Sequence, residues 1–126
     1  MRLGLRIVAA LMAIFFVYAT VVQYNDPDPL RWMAIYLAAL ACSIGIVTNL
    51  RVRELAAATT IAGAAWAAIW WSTLSGMPEF GKIPWIQIEE ARELGGLLIV
   101  TVWCAIVFCV EQFGSRAGKA AATVSR

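Results

Sequence analysis

Two short stretches carry most of the polar chemistry in this chain. The first is QYNDPDPLRW, in which Gln23, Asn25, Asp26 and Asp28 are spaced by Tyr24 and Pro27. The second is EEARELGG, with Glu89, Glu90, Arg92 and Glu93 ahead of Gly95 and Gly96. Carboxylates beside side-chain amides are the oxygen donors that a hard cation such as Mg²⁺ or Ca²⁺ takes. Paired carboxylates are also the parts of a general acid–base pair. Glu89 and Glu93 stand four apart and Glu90 and Glu93 three apart, so on a helix they share a face and repel unless something offsets them. Arg31, Arg92 or a bound cation could do so. Each stretch also has a structural reading. Asp28 before Pro29 is a good N-cap and N1 pair, Asp26 before Pro27 offers the same one turn earlier, and Glu89, Glu90 and Glu93 complement a helix dipole.

The elements that must position these residues are helices in a membrane. The chain has 126 residues, 62% of them hydrophobic and only 14% charged, with a mean hydropathy of +0.77. A soluble domain is nearer half apolar and a quarter charged. Four apolar runs fit, at about 5–24, 30–48, 55–74 and 91–110, each helical because lipid leaves the backbone no other partner. A β-barrel needs alternating polar positions, which are absent. The first run is longer than a signal-peptide core and lacks a cleavage site before Gln23, so it reads as a retained span. The expected fold is all-α: a polytopic four-helix transmembrane bundle over residues 1–114, followed by a frayed polar tail over 115–126.

Charge asymmetry supplies the orientation. Arg2, Arg6, Arg51, Arg53, Arg116, Lys119 and Arg126 flank one side, and only Arg31, Lys82 and Arg92 the other. Both termini are therefore expected in the cytoplasm, as in an integral protein of the plasma membrane. The acids sort oppositely, with Asp26, Asp28, Glu79, Glu89, Glu90 and Glu93 on the outer side. Tyr24, Trp32, Trp70, Trp71, Phe80 and Trp85 fall near the same boundary and read as an interfacial belt. From Leu94 to Val110 the fourth apolar run has seventeen residues, about 25 Å of helix against a hydrocarbon core of about 30 Å. The polar groups at its edge are drawn toward lipid, where ionisable groups are usually paired or turned inward.

Small residues mark the packing faces, because lipid gives helices no hydrophobic reason to associate. Thr59, Gly63 and Ala67 recur every four residues in the third run. Ala41 and Gly45 do so in the second, and Gly96 opens the fourth. These faces suit the bundle interior, a second copy or a membrane partner. Cys42, Cys104 and Cys109 lie inside apolar runs and read as packing residues, and no histidine is present. There is no phosphate loop, no zinc spacing and no basic face for nucleic acid.

QYNDPDPLRW, with Tyr36 four residues past Trp32, and EEARELGGLLIVTVW together resemble the transmembrane protein 220 family. Its two motifs fall on Gln23, Asn25, Asp26, Pro27 and Asp28 and, in register, on Glu89, Arg92, Glu93 and Gly96. The resemblance covers roughly residues 7–105. It implies a small multispanning protein and names no substrate or cofactor. Three roles follow as expectations. The first is binding or transport, in which Gln23, Asn25, Asp26, Asp28, Glu89, Arg92 and Glu93 hold a divalent cation or a small polar or lipid-headgroup ligand. The second is a structural role, in which Asp26 with Arg92, or Glu93 with Arg31, stitches the helices. The third and weakest is lipid-directed catalysis. With no nucleophile identified, no catalytic residue is assigned.

Overall fold

The computed structural model describes residues 3–125, so Arg2 and Arg126 of the orientation count lie outside it. The described residues form four α-helices and no strand: α1 (Leu3–Val22), α2 (Pro29–Thr48), α3 (Arg53–Ser75) and α4 (Glu89–Val124). All four are long and apolar enough to cross a membrane. Ile7, Leu11, Ile14, Tyr18 and Val21 of α1 are all more than half exposed. So large an apolar surface suits lipid and not water.

The element boundaries follow local chemistry. Pro29 opens α2 at its first turn, where its missing N–H costs nothing. At the other end Asn49 adopts a left-handed φ of 57°, and the Asn49 and Leu50 N–H groups both donate to the Gly45 carbonyl. Asn tolerates this conformation better than most residues, and it closes the helix. Arg6 of α1 donates to the Val47 carbonyl from both Nε and Nη2 (3.2 and 2.6 Å), satisfying another free end of α2.

Two expectations are corrected. Asp28 occupies the N-cap position of α2 but makes no capping hydrogen bond. Its carboxylate turns to Arg31 (3.1 Å), while Asp26 Oδ1 accepts the Asp28 N–H (3.0 Å). The chain after Gly114 is also not irregular, since α4 continues as one helix to Val124 with its last turns exposed. Nothing in AGKAAATV breaks a helix, and its alanines favour one.

α1 packs on α2 and α3 on α4, and α2 joins the two hairpins by touching both α3 and α4. α1 does not approach α3 or α4 at backbone level among the described residues, so the bundle is open along that side. Small residues permit the other contacts. A Cβ on Gly63 would strike the Thr101 hydroxyl of α4, and one on Gly96 would strike the Tyr36 hydroxyl of α2. On Gly45 it would lie 2.5 Å from Val52 Cγ1. Thr59 and Ala67 are buried on the same face of α3 as Gly63.

In the core, Cys42 and Cys104 are fully buried free thiols, and Cys109 is exposed. Beside them Trp103 Nε1 donates to Ser43 Oγ (2.8 Å), which donates onward to the Ala39 carbonyl (3.0 Å). Ser43→Ala leaves the buried indole N–H without an acceptor. The expected loss is about 1–2 kcal/mol in a reversible unfolding titration in mixed micelles, the range for an interhelical hydrogen bond.

Candidate functional site

Three elements meet where α1 turns into α2 and α3 hands over to α4. Gln23–Asn25 forms a single 3₁₀ turn continuing α1, and Asp26 follows it in an extended conformation. This lifts Asp26 over the start of α4, where Glu89 lies in the first turn and Glu93 one turn further. Carboxylate oxygens of Asp26, Glu89 and Glu93 all lie within 4.8 Å of one another. Asp26 and Glu93 are half-buried and Glu89 is exposed. α3 contributes a donor, with Trp70 Nε1 to Glu93 Oε2 at 2.7 Å.

Positive charge does not neutralise this group. Arg31 pairs with Asp28, and its guanidinium sits 5.9, 5.7 and 5.6 Å from the ring centres of Trp32, Trp66 and Trp70. The three indoles form one cluster. Trp32 stacks on Trp66 at 4.5 Å, and Trp70 meets both edge-on. A cation over aromatic faces is held by their quadrupoles, and here three faces share it. Arg92 is exposed and makes no ion pair among the described residues. Neither expected stitch, Asp26 with Arg92 or Glu93 with Arg31, is formed.

Of the seven residues expected at the site, Asp26, Glu89 and Glu93 are therefore brought together. Asp28 is diverted to Arg31, and Asn25 and Arg92 are exposed. Gln23 is half-buried in the 3₁₀ turn beside Asp26. The aromatic belt is split as well: Tyr24, Trp71, Phe80 and Trp85 are exposed, whereas Trp32 is 1% exposed and belongs to the core. Sequence reasoning missed Trp66 and the role of Trp70. The four-residue step between them was the available signal, since it puts both indoles on one face of α3.

Comparison with known proteins identifies the family. A model of transmembrane family 220 matches residues 15–109, which contain all three clustered carboxylates and the tryptophans around Arg31. Transmembrane protein 220 of Xenopus laevis is 36% identical over 119 residues, covering 90% of this chain and 62% of that protein. The chain thus spans less than two thirds of the length of this curated relative. No solved structure matches. With the motifs, the four apolar helices and most of the chain in agreement, the protein belongs to transmembrane family 220.

Proposed function

We propose that the protein binds a hard cation at this end of its bundle, as a binding or transport protein rather than an enzyme. One observation carries the reading. Three carboxylates from two separate elements converge within 4.8 Å, and neither nearby arginine is paired with them. Mutual repulsion disfavours that arrangement at the edge of a low-dielectric slab unless a cation relieves it. Mg²⁺ or Ca²⁺ suits a set of carboxylates, and the side-chain amides of Gln23 and Asn25 precede Asp26 in the chain. The excess of basic residues on the terminal side supports cytoplasmic termini, so that the site opens to the outside.

The Trp70–Glu93 hydrogen bond favours a second reading, in which the cluster only fastens α3 to α4. Thermal unfolding of the detergent-solubilised protein with Mg²⁺, with Ca²⁺ or with chelator separates the two. A bound ion at about a hundred times its Kd stabilises by about 2.7 kcal/mol. Asp26→Asn with Glu93→Gln removes that response. Identical wild-type melting in all three conditions defeats the cation reading. If the cluster is only a fastening, Asp26→Asn with Glu93→Gln instead shifts the melting midpoint by the same amount with Mg²⁺, with Ca²⁺ and with chelator, because the Trp70–Glu93 bond is altered alike in all three.

A further inference from the structure

At the opposite end of the bundle, the α2–α3 connection (residues 49–52) is strapped across α4. Val52 N–H donates to Glu111 Oε1 at 3.1 Å, and Arg53 Nη1 donates to Gln112 Oε1 at 3.3 Å. Between this strap, the end of α2 and α4 lies a cavity of about 290 Å³, half open to the surroundings. That is just below the usual range for ligand cavities, about 300–1,000 Å³, and fits a headgroup better than a cofactor-sized body.

The charges lining the cavity do not cancel one another. Arg51 is exposed and makes no ion pair or side-chain hydrogen bond among the described residues. Arg53 is already paired with Glu54 at 2.8 Å. Glu111 bonds neither arginine: Oε1 takes the Val52 N–H, and Oε2 is buried with no partner. The cavity therefore presents one unspent positive group and one unspent negative group. Presenting Oε2 to a donor in the cavity takes a turn about the soft terminal torsion of the glutamate, which loosens the Val52 N–H bond to Oε1. Ile46 and Val110 form an apolar part of the wall.

Depth identifies the source of the ligand. Val110 lies about 32 Å along the axis of α4 from Glu89, which is close to the thickness of the hydrocarbon core. With Glu89 at one edge of the hydrocarbon core, that spacing puts the cavity at the level of the headgroups of the terminal-side leaflet.

We propose that this cavity seats the headgroup of a phosphatidylethanolamine-type lipid, its phosphate on Arg51 and its primary ammonium on Glu111. A quaternary ammonium has no N–H to give Glu111, and a purely anionic headgroup places negative charge beside it. The site is separate from the carboxylate cluster and does not depend on cation binding there.

The test uses the full chain in detergent, with native mass spectrometry and thermal melting as readouts. The probes are short-chain phosphatidylethanolamine, phosphatidylcholine and phosphatidylglycerol, together with chain-free glycerophosphoethanolamine and inorganic phosphate. Phosphatidylethanolamine is expected to be retained and to raise the melting midpoint more than either other lipid. Arg51→Gln and Glu111→Gln each weaken that binding about tenfold, as loss of a charge-assisted hydrogen bond does. Arg51→Gln removes no ion pair or side-chain hydrogen bond among the described residues, and Glu111→Gln keeps an oxygen for the Val52 N–H. Equal responses to the three lipids overturn the proposal, as does unchanged phosphatidylethanolamine binding in Arg51→Gln. Chain-free glycerophosphoethanolamine or phosphate matching the lipid overturns the lipid assignment.

Discussion

Gly63→Leu is expected to separate α3 from α4 and abolish the folded protein. Even the first added carbon meets the Thr101 hydroxyl, and that hydroxyl is itself bonded to the Leu97 carbonyl at 2.7 Å. The obstacle is thus the side chain of a helical residue held in place, not the free tip of a flexible one. Overpacking a close contact costs about 1–3 kcal/mol for a methyl group and more for a larger side chain. Gly63→Ala should therefore unfold at lower denaturant, by about that amount, while remaining folded. Thr101→Ala removes the obstructing oxygen and leaves its Cβ at 3.5 Å, an ordinary contact. The double variant Gly63→Ala/Thr101→Ala should recover most of the loss. Additive losses in the double-mutant cycle would mean that this contact does not set the α3–α4 distance.

The second large effect is at Trp32. Its ring is 1% exposed, stacked on Trp66 and edge-on to Trp70, and it forms part of the seat under Arg31. Trp32→Ala removes all of these at once, and a buried aromatic truncated to alanine costs about 3–5 kcal/mol. The consequence extends beyond stability. Trp70 touches Trp32 on one side and donates to Glu93 on the other, so loss of its neighbour loosens the one indole donor to the carboxylates among the described residues. Trp32→Phe keeps an aromatic face and should retain most of the stability. Its Nε1 has no hydrogen-bond partner to lose, so the phenylalanine variant also isolates ring packing from the indole N–H. Equal destabilisation by alanine and phenylalanine would point away from stacking.

The membrane helices were legible because composition decides them. Apolar runs bounded by Asp28-Pro29, Asn49 and the Glu89–Glu90 pair left little choice of where α2 and α4 begin or where α2 ends. The far end of α4 was not legible. The apolar run stops near Val110, but a helix stops only when something breaks it, and the alanines after Gly118 do not.

At the carboxylate cluster, helical spacing brought Glu89 and Glu93 to one face, and the shared end of two hairpins brought Asp26 toward them. The partner of Arg31 was beyond reach. Asp28 three residues back and Glu93 on another helix are equally good acceptors by type. Only the register of α2 against α3, which places Trp66 and Trp70 beneath the guanidinium, selects the first. Glu111 was hidden for a similar reason. Its position at the end of an apolar run gives no hint that Val52, 59 residues back, donates to one of its oxygens or that the other is buried.

α4 is a single rod of 36 residues, about 54 Å long, with Glu89 and Glu93 near one end and Glu111 two thirds of the way along. No proline interrupts it. The two polar ends of the bundle are therefore bolted to one beam. A tilt of about 5° about one end of the stretch from Glu89 to Val110 shifts the other by about 3 Å, the length of a hydrogen bond. Contacts at one membrane face are thus kept in alignment by the fit at the other.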